Sequence, residues 1–429
     1  MAIGLISNTI LKASSSPDFP TSNDLIPLNL FDKAAFDIHV PVLYAFRAPT
    51  PSNEAMKEGL SKALVHYPQL AGRFITDDHG RTCIILNNAG VRVIETYVPT
   101  SLAKQLPFSP ASEVGNLLPP LEGVQELLQI QLNRYACGGV VIGVTAHHRV
   151  ADGQSMSYFT ISWASLMRGL DIETLPYHDR AAVSVPRNPP KVEFDHSSIE
   201  FRKSTASNTN NFSSSIANLV VHLSADFITK LKTKVCQGHQ RFSTFECLLS
   251  HMWKKITQAR GLAQDEFTQV RVAVNGRARM KPPVPMEFFG NLVLWAYPRL
   301  MVEELLNESH AHVAKAIHEA VAKVDNEYFH SFIDFGELST GKEGEMVATA
   351  PEIGDSLCPN LEVDSWLRFH FHDLDFGGGG PCVFLPPDLP VEGLLIFVPS
   401  CKDEGAVDVF LALLHEHVEL FKQICYSLD

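Results

Sequence analysis

The run Val140-Val141-Ile142-Gly143-Val144-Thr145-Ala146 is apolar but for one threonine, and it leads across a short polar bridge into Gly153 to Arg168. In that second segment Met156, Phe159, Trp163 and Met167 recur at helical spacing, and Gly169 supplies a C-terminal stop. A buried strand that hands directly to an amphipathic helix confines the chain to folds that layer helices on a sheet. The rest of the sequence repeats the mixture. Val40 to Phe46, Gln125 to Leu132, Leu219 to Leu223, Gln269 to Asn275 and Leu394 to Val398 read as strands. Glu54 to Val65, Thr244 to Gln258 and Val302 to Val324 read as helices, and Val407 to Ile424 contains the last one. The fold class is therefore α/β with mixed sheets and flanking helices.

A chain of 429 residues exceeds one ordinary core, so two domains are expected. The plainest shift in composition begins at Arg187-Asn188-Pro189-Pro190 and reaches Ser204-Thr205-Ala206-Ser207-Asn208-Thr209-Asn210-Asn211. Such polar, turn-forming sequence buries little surface. The expected partition is residues 1–186, a crossover linker at 187–216, and residues 217–429.

Charge narrows the partners. With 48 acidic against 35 basic residues the net charge is −13, which repels phosphate backbones and anionic membranes. No nucleic-acid or membrane partner is expected. Met1 to Leu11 has no basic n-region and is interrupted by Ser7 and Asn8, and no apolar run reaches the length of a membrane span. The eight cysteines lie without the short spacing of a zinc or redox motif. They read as reduced, mostly buried residues of a cytoplasmic protein, expected to be a monomer.

The chemistry-bearing residues sit where the strand gives way to the helix: His147-His148-Arg149-Val150-Ala151-Asp152-Gly153. Neighbouring side chains in an extended segment point to opposite faces, so the two histidines have different surroundings. Three readings stand side by side. The histidines are satisfied strand-end residues and Asp152 is the helix N-cap, accepting from the Ser155 amide. Or His148 and Asp152 ligate a metal, although no third ligand lies near. Or His148 is a general base.

His-His-Arg-Val-Ala-Asp-Gly matches the HxxxDG motif of the chloramphenicol acetyltransferase-like superfamily. Asp375-Phe376-Gly377-Gly378-Gly379-Gly380-Pro381 resembles the DFGWG motif of one branch, the plant acyl-CoA-dependent BAHD acyltransferases. Tyr67-Pro68, Ala71-Gly72-Arg73, Asn275-Gly276-Arg277-Ala278-Arg279 and Phe289-Gly290-Asn291 add to that resemblance along the whole chain. Leu30-Phe31-Asp32-Lys33, Ser331-Phe332-Ile333-Asp334-Phe335 and Glu362-Val363-Asp364-Ser365-Trp366-Leu367-Arg368 resemble a narrower group, the agmatine, putrescine and tryptamine N-hydroxycinnamoyltransferases. In one respect the chain departs from the family. Gly378 stands where the family carries tryptophan, so the loop built on Asp375, Phe376, Gly377 and Gly379 lacks a large anchor; in the family that loop is structural.

The resemblance implies a two-domain chloramphenicol acetyltransferase-like fold with an active-site channel at the domain interface. It also implies acyl-CoA-dependent transfer of a hydroxycinnamoyl or related aromatic acyl group to an amine such as agmatine, putrescine, tyramine or tryptamine. The alternative is O-acylation of an alcohol of the shikimate or quinate type. His148 is then the general base, with direct transfer and no covalent intermediate. Asp152 is structural and pairs with Arg277 or Arg279, which share a face if their strand continues. His39, Tyr44, Asp364 and Trp366 fall at acceptor positions, Asp364 as a carboxylate suited to a cation. Ser243, Thr244, Lys254, Lys255, Arg260 and Arg279 fall in segments the family uses around CoA. Acyl-CoA is a substrate, and neither cofactor nor metal is expected.

Overall fold

The computed structural model describes residues 3–15, 23–108, 114–203, 215–236, 241–339, 346–370, 373–386 and 388–429. The chain forms two compact units. The first comprises Met1–Val185, Pro283–Leu292 and Phe369–Pro387; the second comprises Pro186–Pro282, Val293–Arg368 and Asp388–Asp429. A shift in composition suggests a linear cut, whereas the observed units are discontinuous. Two late segments join the first unit, and the glycine-rich 375–380 loop, expected in the C-terminal domain, is in one of them. Strand pairing explains this. Val383–Leu385 runs antiparallel to His39–Phe46, with Phe384 opposite Tyr44, and Phe288 bridges to Tyr177. The Ser204 to Asn211 stretch lies outside the described residues.

The first unit is built on a six-stranded sheet in the order Gly4–Leu11, Val91–Val98, Leu128–Tyr135, Val140–His147, His39–Phe46, Val383–Leu385. Every pair is antiparallel except Val91–Val98 with Leu128–Tyr135. Val140–His147 is central and buried along its whole length, which accounts for its lack of polar alternation. Leu43, Ala45 and Val141 belong to a buried cluster with Leu102 and Leu117. The helices Asn53–His66 and Gly153–Met167 pack together closely. Gly59 permits this approach, since a Cβ there would lie 2.5 Å from the Met167 Cβ.

The second unit holds a sheet in the order Ile216–Leu223, Val407–Leu414, Leu394–Pro399, Leu361–Ser365, Phe267–Asn275, Val293–Ala296, with Arg299–Met301 also on Phe267–Asn275. The segment expected as one helix over Val302 to Val324 is two, Val302–Asn307 and His310–Ala322. Ser309 marks the break, because its side chain accepts from the His312 amide and caps the second helix. The cysteines are less buried than expected. All eight are free, but only Cys83, Cys247 and Cys425 are buried, while Cys137 and Cys358 are exposed. Among the described residues no helix is long and apolar enough to cross a membrane.

Candidate active site

His148 follows the last residue of the central strand, and the ladder continues one step past it: the His148 amide donates to the Ile38 carbonyl at 2.9 Å. A turn then forms as the Val150 amide donates to the His147 carbonyl at 2.9 Å. The histidine rings part as the alternation requires. His147 packs edge-on against His39 and Phe74, both with centroids 4.8 Å away, and its Nε2 lies 3.4 Å from the Asp37 carboxylate. The His148 ring instead meets Phe36 edge-on at 5.8 Å. It is half-buried, and its Nδ1 has no hydrogen-bond partner among the described residues. Burial pushes its pKa below the usual histidine range, against the opposing pull of its own main chain, Asp152 and Asn291. A neutral imidazole near neutral pH is the form a general base needs.

Asp152 is the N-cap of the Gly153–Met167 helix. Its Oδ1 accepts from the Ser155 amide at 2.9 Å and its Oδ2 from the Leu292 amide at 3.2 Å. The Asp152 amide donates to the Gly290 carbonyl at 3.3 Å, and the Ser155 hydroxyl lies 2.9 Å from that same oxygen. The carboxylate therefore ties the start of the helix to the Phe289-Gly290-Asn291 segment. Asp152→Ala removes the cap and strands a buried amide, so it is expected to cost about 2–4 kcal/mol of stability. A lowered urea midpoint would show this; an unchanged midpoint with lost turnover would instead give Asp152 a chemical role.

The arginines expected to share a face do not continue a strand. Phe267–Asn275 ends before them, and the Arg279 amide closes a turn on the Gly276 carbonyl at 2.9 Å. Arg277 is fully buried, with its amide and Nη1 on the Asn275 side chain. Arg279 donates through Nη1 to the Val321 and Val324 carbonyls, in the last turn of the His310–Ala322 helix and just beyond it.

The acceptor candidates separate. His39 pairs directly with His147 across the two strands, and its Nε2 lies 2.9 Å from the Glu126 carbonyl. That puts it on the His147 face of the sheet, with its ring nitrogen directed at the Glu126 main chain. Tyr44, an odd number of residues along the strand, projects to the other face and packs on Phe384 at 5.0 Å. Asp364 and Trp366 lie in the second unit, both half-buried, with the Trp366 amide on the Phe397 carbonyl. The Asp364 carboxyl has no hydrogen-bond partner among the described residues. Burial, with Glu362 beside it and Arg271 opposing, pushes its pKa up to about 7.

The residues expected around CoA are largely occupied. The Lys254 Nζ donates to the Leu305, Leu306 and Glu308 carbonyls at 2.7, 3.1 and 2.6 Å, which uses all three of its N–H bonds. Burial pushes that ammonium down to about 8. Arg260 has its Nε and Nη2 on Glu392 at 3.0 and 2.7 Å and its Nη1 on the Asn360 carbonyl at 3.0 Å. Both are buried cations whose N–H groups are engaged by internal partners. Ser243 caps the Thr244–Arg260 helix in a reciprocal arrangement with Glu246. The Thr244 hydroxyl accepts from Lys232, and Lys255 donates to the Asp429 carbonyl.

The glycine-rich loop has its own anchors. The Asp375 Oδ1 accepts from the Gly377 and Gly379 amides at 2.7 and 2.8 Å, and Arg168 lies 3.4 Å from its Oδ2. Phe376 is buried between Trp163 and Phe46, at 4.8 and 5.4 Å. A Cβ at Gly378 would come within 2.1 Å of the Pro49 carbonyl oxygen. Glycine at that position thus fits a close main-chain approach, and the loop is fixed without a tryptophan. Among the described residues no three of His, Cys, Asp and Glu gather as metal ligands.

A family profile described as "Transferase family" matches residues 5–428. The chain is 50% identical to tryptamine hydroxycinnamoyltransferase 2 of Oryza sativa subsp. japonica, over 100% of each chain. It is 41% identical to agmatine hydroxycinnamoyltransferase 1 of the same organism, over 95% of this chain and 94% of the other. The crystal structure of vinorine synthase superposes with a TM-score of 0.75 at 21% identity, covering 98% of this chain and 96% of that one, which extends the likeness to the chloramphenicol acetyltransferase-like fold. The chain belongs to the Transferase family of BAHD acyltransferases.

Proposed function

We propose that the protein is an acyl-CoA-dependent N-acyltransferase that moves a hydroxycinnamoyl or related aromatic acyl group from CoA to a primary amine. The observation that carries this reading is the His148 imidazole, neutral through burial and held at the end of a fully buried strand, in a chain half identical to a tryptamine hydroxycinnamoyltransferase. The amine must enter the reaction uncharged. As its nitrogen attacks the thioester carbonyl, His148 takes one nitrogen proton. The tetrahedral adduct collapses, expelling the CoA thiolate, and the imidazolium returns the proton to give CoA thiol and an amide. No serine or cysteine nucleophile and no cofactor takes part. The test is free-thiol release from p-coumaroyl-CoA against a panel of amines and alcohols. Tryptamine or agmatine should far exceed shikimate; the reverse order would make the protein an O-acyltransferase.

Asp364 is assigned to the acceptor. Its carboxyl is partly protonated near neutral pH, and a cationic group beside it would favour the ionised form. In agmatine that group is the distal guanidinium, which leaves the proximal nitrogen to react. Asp364→Asn should raise the agmatine KM by about 10-fold, the value of one charge-assisted bond, and leave the p-coumaroyl-CoA KM within about 2-fold. In the native protein the agmatine KM should rise as pH falls below about 7, where the carboxyl takes up its proton. Equal effects on both substrates would remove Asp364 from the acceptor, and so would preference for an amine with no second charge.

A further inference from the structure

Asp32 is a carboxylate with no solvent exposure, in the short helix Leu30–Ala34. A buried charge of this kind is costly unless it is paired and fully hydrogen-bonded. Here it is met from every side. Arg180 Nη1 donates to Oδ2 at 2.5 Å and the Asn29 amide at 3.2 Å, while Oδ1 accepts from the Asn291 Nδ2 at 3.0 Å and the Asn291 amide at 3.3 Å. The two side chains that Asp32 gathers have second contacts, and both fall on the loop that carries the base. Asn291 Nδ2 donates to the His148 carbonyl at 2.9 Å, and Arg180 Nη2 donates to the Val150 carbonyl. One carboxylate thus orients two donors that grip the main chain at His148 and two residues beyond it.

We propose that Asp32, with Arg180 and Asn291, positions the catalytic base: it is the common anchor that fixes the main chain beneath His148 and, through Asn291, the surroundings of its ring. The inference rests on the reading of His148 as the base. His148 needs such support because its Nδ1 finds no hydrogen-bond partner among the described residues. Among the described residues no carboxylate accepts from that nitrogen, so the main chain is left to orient the ring. The ring is not indifferent to the clamp either. The Asn291 side chain favours the protonated imidazole, acting with Asp152 and against both burial and His147. None of the three clamp residues meets a substrate in this scheme; all act through His148.

The test is kinetic. Asn291→Ala should lower kcat by about 10–100-fold, the loss expected from a base displaced by about an ångström. KM for p-coumaroyl-CoA and for the amine should stay within about 3-fold. The acid limb of the pH–kcat profile should also move to lower pH, because a group favouring the imidazolium is gone. A purely structural residue would reduce the amount of active protein and leave the limb in place. Arg180→Lys keeps the charge against Asp32 but cannot span to Val150, and should lose kcat to a smaller degree; it provides the reading if Asn291→Ala fails to fold. A native limb and native kcat in folded Asn291→Ala and Arg180→Lys, with His148→Ala inactive, would overturn the clamp alone. An active His148→Ala would overturn the reading beneath it.

Discussion

Replacing His148 with alanine is expected to lower kcat by about 10²–10⁴-fold, the usual worth of a positioned general base, while the protein keeps its fold. The ring is half-buried and meets the edge of Phe36. Its removal leaves the loop gripped through the His148 carbonyl and amide, which alanine retains. Turnover and urea midpoint should therefore separate, with a large loss in the first and little in the second. The pH dependence carries the same argument. Burial holds the native imidazole below the ordinary value of about 6.5. Lowering the pH from 8 to 7 should leave the base unprotonated, and any loss over that range reflects protonation of the amine. The limb due to His148 should appear only below about 6.5. Rates within a few-fold of native in His148→Ala would remove it from the chemistry.

The second large effect concerns stability. Arg260→Met is expected to destabilise the protein by about 3–5 kcal/mol, the cost of leaving a buried charge without its partner. Glu392 would keep only the Ser356 hydroxyl at 2.7 Å and lose both guanidinium contacts. Arg260→Met with Glu392→Met should recover most of that loss, since an apolar pair of similar volume replaces the ions without a stranded charge. Chemical denaturation of the two variants measures it. The CoA-ester KM of folded Arg260→Met should match the native value. A normal midpoint with a raised KM would return Arg260 to the phosphates.

Arg260 also shows where sequence reading stops. From spacing it is a cation in a helix the family uses around CoA, and nothing local announces Glu392, which arrives from 132 residues away. Lys254 is the same case, its partners being carbonyls at the end of the Val302–Asn307 helix. His39 is a different case. Its strand was legible, but which face it presents depends on register with Val140–His147, and register is set by pairing rather than composition. The features that did show in the sequence are local ones. The strand-to-helix transition at His148, the capping position of Asp152 and the helix from Gly153 each follow from a few adjacent residues. The discontinuous first unit did not show, because it is made by strand and bridge partners distant in the chain. Asp32 and Asn291 stood in recognisable motifs without a stated role. Their role appears only once both lie against the same loop.

Direct acyl transfer to an amine is tested most plainly by the mass of the protein and of its products. The protein is incubated with p-coumaroyl-CoA alone, and then with p-coumaroyl-CoA and tryptamine. The protein mass should be unchanged in both cases, and coumaroyl amide should equal in amount the CoA released and form only when the amine is present. A coumaroylated protein formed without amine, or CoA released without amide, would contradict direct transfer.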